Sequence, residues 1–252
     1  MISTHKYLNL GNEFTSLVNP NFPENLTLEL INTDLASQIG LDNDDLKNIQ
    51  DFCCKEKNKD LKPFASAYAG HQFGQYVNQL GDGRGLLIGQ SLAKDKVFDL
   101  FLKGSGITPF SRFGDGRAIL RSSIREYIGA EAMHGLRIPT SRSLMFFSSS
   151  EKVQRDQFET AAMIIRTSKS HIRFGNFEYF YYKDDSENLK KLIDYCFDTY
   201  VEFKKCDGSI KKLFRQIVHS TASMIASWQA LGFCHGVMNT DNFNIFGETF
   251  DY

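Results

Sequence analysis

The sequence predicts an α+β protein with two lobes and a cleft between them. Glycines crowd between short strand-like runs from Pro63 to Gly116, whereas helical spacing of apolar residues dominates after residue 188. Strand-rich segments followed by helix-rich segments are typical of folds in which the sheet and the helices separate. The chain has 252 residues, of which 42% are hydrophobic and 23% charged, which is the composition of a folded globular protein.

The first elements are predicted from turns and short apolar runs. Residues 1–62 mix such runs with Asn, Asp and Lys, which predicts an N-terminal extension with one or two helices. The runs Gly85–Gln90 and Val97–Lys103 predict strands joined by tight turns. The segment from Arg117 to Gly135 carries apolar residues at helical spacing and ends at a glycine, so it predicts an amphipathic helix.

The later elements complete the first lobe and begin the second. Residues 160–167 and 177–182 are rich in β-branched or aromatic side chains and predict strands. Helical spacing over 188–205 and 209–231 predicts two helices. The expected domains are an N-terminal extension over 1–62, a strand-rich lobe over 63–187 and the start of a helical lobe over 188–252.

Charge and cysteine content exclude several classes of protein. The 29 Lys and Arg residues balance 30 Asp and Glu residues, so the chain lacks the basic character of a dedicated nucleic-acid binder. No apolar stretch approaches the ~18 residues that a membrane helix needs, and the N-terminus lacks the pattern of a secretory signal. The five cysteines form no C-x-x-C pair, which argues against a disulfide framework or a zinc site. We therefore expect a protein of the reducing cytoplasm with no nucleic-acid or membrane partner.

A glycine-rich turn, Leu80–Gly85, is the first candidate for binding a ligand. Gly81 and Gly83 would let the backbone approach an anion closely, and Arg84 adds a charge suited to phosphate. A glycine-rich hairpin with a solvated arginine fits the same residues.

Lys103 ends an apolar run, where a buried ammonium needs an anionic partner. Glu126 lies within the following predicted helix and would supply that partner, as the helix glutamate of a kinase pairs with the strand lysine that contacts phosphates. The alternative is an edge-strand lysine whose ammonium reaches solvent.

Clustered arginines also indicate an anion site. Four of them fall within fourteen residues around the predicted helix start: Arg112, Arg117, Arg121 and Arg125. In the turn before this helix, Asp115 fits either a helix cap or a ligand contact. Arg166 interrupts the apolar run 160–167, where a guanidinium requires a carboxylate or phosphate partner, and Arg173 follows it.

The C-terminal stretch HGVMNTDN has part of the spacing of a kinase catalytic loop. Kinases place a base Asp two residues after a His, and a metal-binding Asn five residues beyond that Asp. His235 and Asn242 keep this spacing, but Val237 occupies the usual base position, so Asp241 is the remaining nearby carboxylate. Asn242 and Asp251 offer oxygen atoms suited to Mg²⁺. An Asn- and Asp-rich turn capped by its own side chains is the alternative for any one of these residues.

Three long stretches, residues 68–85, 103–144 and 235–252, closely resemble the selenoprotein O (YdiU/SelO) family. The resemblance implies a protein-kinase-like fold and a protein adenylyltransferase activity, in which AMP passes from ATP to a Ser, Thr or Tyr hydroxyl of a protein and pyrophosphate leaves. It also implies a nucleotide that lies inverted relative to ordinary kinases, with the α-phosphate facing the acceptor. ATP and Mg²⁺, or Mn²⁺ in its place, are the expected ligands.

The resemblance also implies a role for each candidate residue. Lys103 matches the phosphate-binding lysine, Glu126 its ion-pair partner and Asp241 the proton acceptor. Asn242 and Asp251 match the metal ligands. The matching nucleotide contacts are Gly81, Gly83, Arg84, Lys103, Asp115, Gly116, Arg166, Arg173 and Asp251.

The chain departs from this family in length. Members are about twice as long, so the resemblance predicts a complete strand-rich lobe and only the start of the helical lobe, through truncation, a frameshift or a split protein. The other half is then an expected partner, and part of the helix around Phe214–Trp228 would expose an apolar stripe. Two other functions stay open: an ATP-dependent protein kinase, which Val237 disfavours, and a non-catalytic nucleotide-binding module.

Overall fold

The computed structural model describes residues 2–55 and 61–250. It shows a mixed α/β protein built on one large antiparallel sheet. The strands are β1 (Thr15–Leu17), β2 (Thr27–Ile31), β3 (Phe64–Gln72), β4 (Gln75–Gly81), β5 (Gly85–Ala93), β6 (Lys96–Lys103), β7 (Ala118–Ile119), β8 (Arg142–Gln154) and β9 (Phe158–Ser168). The helices are α1 (Thr33–Gln38), α2 (Asn43–Lys55), α3 (Leu120–Gly135), α4 (Phe174–Tyr181), α5 (Ser186–Thr199), α6 (Val201–Lys204) and α7 (Ile210–Ala230), preceded by a 3-10 turn at Lys6–Leu10.

The sheet brings distant parts of the chain side by side. Its main order is β1-β3-β5-β6-β9-β8-β2, with β4 paired to β3 and β7 paired to β9. Strand β6 lies between β5 and β9, and its register sets Phe101 opposite Arg166 and Lys103 opposite Ile164. The central strands therefore place two of the predicted cations, Lys103 and Arg166, two rungs apart on the same face of the sheet.

The core lies on both faces of this sheet because successive side chains of a strand point to opposite sides. Leu86 and Leu100 pack with α1 and α2 in one cluster, whereas Leu87 and Phe101 pack with α4 and α5 in another. Residues 1–62 contribute to the sheet as well as to the helices, since β1 pairs with β3 and β2 with β8.

Several predicted elements are confirmed with small shifts at their ends. The strands expected at Gly85–Gln90, Val97–Lys103 and 160–167 are present as β5, β6 and β9. The helix expected over 209–231 is α7. The helix expected from Arg117 starts at Leu120, because the two preceding residues form β7 and pair with β9.

Two sequence predictions are wrong. Residues 177–182 form most of α4 instead of a strand, although their aromatic composition favours strands. Tertiary packing decides this segment: Gly175 lies against the backbone of Ala69, and the rings of Tyr179 and Phe180 are buried in the core. The helix expected over 188–205 is broken into α5 and α6, since Tyr200 is extended and buries its ring.

Helix α7 presents an apolar surface over its first half. Phe214 is 66% exposed and Val218 is also exposed, whereas Met224 and Trp228 are buried. The expected exposure of part of this helix is therefore confirmed near Phe214, whereas Trp228 packs against Phe243. Within the described residues, no helix combines the length and the apolar character that crossing a bilayer requires.

Candidate active site

Most of the predicted site residues surround one cleft of about 550 Å³. This volume is within the range of small-molecule sites. The predicted residues that line it are Gly81, Gly83, Arg84, Lys103, Asp115, Gly116, Arg166, Arg173, Asp241 and Asn242. Glu126 lies behind this lining, in contact with two of the cations, and Asp251 lies outside the described residues.

The glycine-rich turn between β4 and β5 packs tightly against the segment around Phe110. A Cβ on Gly81 would lie 2.3 Å from the Phe110 ring, and one on Gly83 would lie 2.8 Å from the Phe110 carbonyl oxygen. The Thr108 hydroxyl donates to the Asp82 carbonyl at 2.7 Å, which ties the two segments together. Glycine is therefore required for packing here, and the turn forms one wall of the cleft.

Lys103 and Arg166 share the carboxylate of Glu126. Lys103 Nζ donates to Glu126 Oε2, and Arg166 Nη1 donates to Glu126 Oε1 at 3.2 Å. Lys103 is 7% exposed and Arg166 3%, so an edge lysine reaching solvent is the wrong description. Because a buried charge is costly without a partner, this shared carboxylate holds two cations at the edge of the cleft.

Arg173 lies at the start of α4 and joins two acidic residues. Its Nη1 donates to the Asp241 carbonyl oxygen at 2.5 Å, and its Nη2 donates to Asp82 Oδ1 at 3.2 Å. Burial raises the pKa of Asp82, while the guanidinium of Arg173 opposes that rise. Asp82 was not predicted as a site residue from the sequence, although its position between Gly81 and Gly83 could have indicated it.

Aromatic rings hold both guanidinium groups in place. The Arg166 guanidinium carbon lies 4.6 Å from the Phe101 ring centre and 5.2 Å from that of Phe250. The Arg173 guanidinium carbon lies 4.6 Å from the Phe250 ring centre and 4.7 Å from that of Tyr68. Such contacts attract a cation to the ring face and restrict its orientation. None of these rings was predicted as a site residue from the sequence.

His171 completes this aromatic stack. Its ring is nearly parallel to those of Phe101 and Phe250, with centre separations of 4.8 and 4.9 Å. Burial lowers the pKa of His171 to about 4, although the neighbouring Asp99 carboxylate acts in the opposite direction. A neutral imidazole therefore separates the two rings that face the arginines at neutral pH.

Asp115 is held by Arg155 and not by a helix end. Arg155 Nη1 donates to Asp115 Oδ2 at 2.8 Å, and the Arg117 backbone N–H donates to Asp115 Oδ1 at 2.9 Å. The hydrogen bond from Arg155 lowers the pKa of Asp115. The helix-cap alternative is wrong, because Ile119 occupies the N-cap of α3.

The four arginines around the start of α3 do not converge on one anion. Arg117 pairs with Glu151, with Nε and Oε1 2.6 Å apart. Arg121 pairs with Glu159 at 2.9 Å and is largely exposed.

Gly116 has a φ of +70°, and a Cβ there would overlap the Gly106 backbone at 2.0 Å.

The C-terminal loop adds Asp241 and Asn242 to the lining of the cleft. Asp241 is 9% exposed, and among the described residues its Oδ1 has no hydrogen-bond partner. Asn242 Nδ2 donates to the Val237 carbonyl at 2.9 Å, so the amide nitrogen is engaged and the oxygen is the atom a cation would need. His235 contacts Thr249 at 3.0 Å and stacks on Trp228, which is a structural role.

The Asn242 side chain fits a hard cation. It lines the cleft, and its amide oxygen is available to a ligand because its amide nitrogen donates to the Val237 carbonyl. Mg²⁺ and Mn²⁺ prefer such oxygen ligands. Over residues 2–55 and 61–250 there is no cluster of three or more His, Cys, Asp or Glu side chains of the kind that holds a metal by itself.

The sheet and the cleft define a mixed α/β protein whose cleft is lined by the buried cations Lys103, Arg166 and Arg173 and by the buried Asp241. The family model described as "Protein adenylyltransferase SelO" matches residues 2–252. The chain therefore belongs to the SelO family, which confirms the resemblance seen in its motifs.

Curated relatives agree with this assignment. A "Protein nucleotidyltransferase YdiU" of Marinomonas sp. (strain MWYL1) is 44% identical over 255 residues, which is 100% of this chain and 53% of the relative. The protein of the same name from Aeromonas salmonicida is 49% identical, over 88% of this chain and 46% of the relative. That from Vibrio cholerae is 46% identical, over 99% and 52%. The chain spans about half the length of the curated relatives it matches.

Proposed function

We propose that this chain forms the nucleotide site of a protein adenylyltransferase, which transfers AMP from ATP to a Ser, Thr or Tyr hydroxyl of a protein. The proposal includes a kinase-like two-lobe architecture, with the sheet as the first lobe and α5–α7 as the beginning of the second. The single observation that carries it is the convergence of Lys103, Arg166 and Arg173 with the buried Asp241 carboxylate on one cleft.

The cations would bind the triphosphate. Lys103 and Arg166 are held by Glu126, and Arg173 is held by Asp82, so their side chains are oriented before a ligand arrives. Charge fixed in advance stabilises developing negative charge without reorganisation during the reaction. In the inverted orientation that we propose, these groups offset the charge on the departing pyrophosphate.

Asp241 would act as the proton acceptor. The acceptor oxygen attacks the α-phosphorus, the bond from that phosphorus to the bridging oxygen of the β-phosphate breaks, and pyrophosphate leaves with the electron pair. The hydroxyl proton passes to a carboxylate oxygen of Asp241, whose Oδ1 has no hydrogen-bond partner among the described residues. Val237 has no proton-accepting group at the usual kinase position.

Asn242 and Asp251 would hold Mg²⁺, with Mn²⁺ as the alternative. The Asn242 amide oxygen is suited to such an ion, because the amide nitrogen of the same side chain already donates to the Val237 carbonyl. A bound ion would supply positive charge at the phosphates.

The proposed partners follow from this chemistry. They are ATP, proteins with accessible Ser, Thr or Tyr hydroxyls, and a polypeptide corresponding to the other half of the longer relatives. The apolar groove that includes Phe177, Phe214 and Val218 supports the last of these. We place the protein in the cytoplasm, since all five cysteines are free thiols.

Labelled ATP tests the proposal directly. With a mixture of candidate acceptor proteins, ATP labelled at the α-phosphate should label protein, whereas ATP labelled at the γ-phosphate should not. Label from the γ-phosphate alone would identify a protein kinase and overturn the proposal. If ATP with Mg²⁺ stabilises the folded protein but neither label is transferred, the chain is a non-catalytic nucleotide-binding module. At 100 times its Kd, a ligand that binds only the native state stabilises it by about 2.7 kcal/mol.

The metal assignment predicts the effect of Asp251→Ala. We expect this substitution to abolish AMP transfer, because it removes one of the proposed ligands. Asp198→Ala is a matched control, since Asp198 is exposed on α5. AMP transfer at the wild-type rate in Asp251→Ala would show that the metal assignment is wrong.

A further inference from the structure

The hairpin of β3 and β4 is fastened to the loop that carries Asp241. Its two-residue turn consists of Phe73 and Gly74, with φ values of 52° and 82°, between the facing residues Gln72 and Gln75. Both turn residues have positive φ, as a type I′ turn requires. The Phe73 backbone N–H donates to Asn239 Oδ1 at 3.1 Å, so the tip of the hairpin is bonded to the loop.

A second set of contacts fixes the next residue of the loop. The His71 backbone N–H donates to Thr240 Oγ1 at 2.8 Å. The Thr240 hydroxyl in turn donates to Glu178 Oε2 at 2.7 Å, and Glu178 Oε1 lies 2.9 Å from His71 Nδ1. Strand β3, the loop and helix α4 are therefore joined through one carboxylate.

The third contact reaches Asp241 itself. Gln72 Nε2 donates to Asp241 Oδ2 at 2.9 Å. Beneath the same carboxylate, a Cβ on Gly70 would lie 3.0 Å from Asp241 Oδ1 and 3.2 Å from its Cβ, so the strand surface leaves little room for another rotamer. One oxygen of Asp241 is thus bonded to the hairpin, while the other has no partner among the described residues.

We propose that Gln72 is a positioning residue: its side-chain amide holds Oδ2 of Asp241, so that Oδ1 is the atom presented to the acceptor hydroxyl. This inference rests on the proposed function for the role of Asp241, and on the hairpin contacts for the role of Gln72. The turnover number depends on the orientation of the proton acceptor, whereas ATP binding depends on cations that Gln72 does not touch.

Two substitutions separate positioning from packing. Gln72→Leu removes the donor, and Gln72→Glu keeps the shape of the side chain but sets a second carboxylate against Asp241. We expect both to lower kcat for AMP transfer on the order of 100-fold with little change in KM for ATP. The control is Asn78→Asp, an amide-to-acid change on the exposed surface of the same hairpin, which should leave both constants unchanged. Wild-type kcat in Gln72→Glu would overturn the inference, since a packing role tolerates that change.

A spectroscopic measurement tests the contact between Gln72 and Asp241 without depending on enzyme activity. In ¹H–¹⁵N spectra of the full chain, the side-chain amide signal of Gln72 should shift in Asp241→Ala, while that of Asn78 should stay in place. An unchanged Gln72 signal would overturn the inference even in an active enzyme. If the wild-type chain transfers no AMP, the proposed function is overturned. The contact between Gln72 and Asp241 is then tested by the amide signal alone.

Discussion

Acidification should unfold this protein through His171. The ring is buried between Phe101 and Phe250, and burial lowers its pKa from 6.5 to about 4. In the unfolded chain, the His171 imidazole is protonated below about pH 6.5. In the folded protein, the same imidazole is protonated only below about pH 4. The free energy of unfolding therefore falls as the pH decreases across this range.

The size of the effect follows from the difference between the two pKa values. Each pKa unit corresponds to about 1.4 kcal/mol, so lowering the pKa from 6.5 to about 4 costs about 3 kcal/mol once the pH is below both values. Asp99, which contacts this imidazole, does not obscure the measurement. Although burial alone would raise its pKa, His5 and His171 hold it below the usual value, so Asp99 stays ionised across this range.

Urea unfolding followed by circular dichroism measures this difference. We would compare the wild-type protein with His171→Phe, whose ring suits the space between two aromatic rings, at several pH values from 7 to 4.5. The wild type should lose about 2 kcal/mol more than the variant over this range, because pH 4.5 is still above the folded-state pKa. His219→Phe, which alters an exposed histidine of α7, should keep the wild-type dependence. The reasoning is refuted if His171→Phe and the wild type lose stability equally.

Two further substitutions test other parts of the structure. Glu126→Gln should lower the free energy of unfolding by about 3–5 kcal/mol, because it removes the buried carboxylate that Lys103 and Arg166 share. Urea unfolding measures this, and an unchanged midpoint would contradict the shared ion pair. Phe214→Ser should reduce the fluorescence of a bound apolar dye such as ANS, because Phe214 is a large exposed side chain of the α7 groove. Equal dye fluorescence in the two proteins would place the exposed apolar surface elsewhere.

Local patterns in the sequence predicted part of the site. The glycines of the turn between β4 and β5 were predicted as positions where the backbone approaches a ligand closely, and the structure shows that Gly81 and Gly83 also pack against Phe110. Lys103 and Glu126 were predicted as a pair because a buried ammonium needs a counter-charge, and the structure joins them. Each of these requirements acts through the residue's own chemistry and is visible without the fold.

Other residues of the site could not be predicted, because their roles depend on contacts between distant segments of the chain. Asp82 and Gln72 are ordinary polar residues in the sequence, and the fold sets the first beside Arg173 and the second beside Asp241. The partner of Gln72 is 169 residues away along the chain. A local pattern contains no information about such a partner.

The amino-acid sequence by itself determined the family, the glycine-rich turn, the cations and the carboxylate that the chemistry requires, because each of these depends on residue type and short spacing. The tertiary structure alone decided that residues 177–182 are helical, that Glu126 serves two cations and that a hairpin reaches the loop of Asp241. The reason is physical: an aromatic segment becomes a strand or a helix according to what it packs against, and a buried charge pairs with whatever the fold brings within reach.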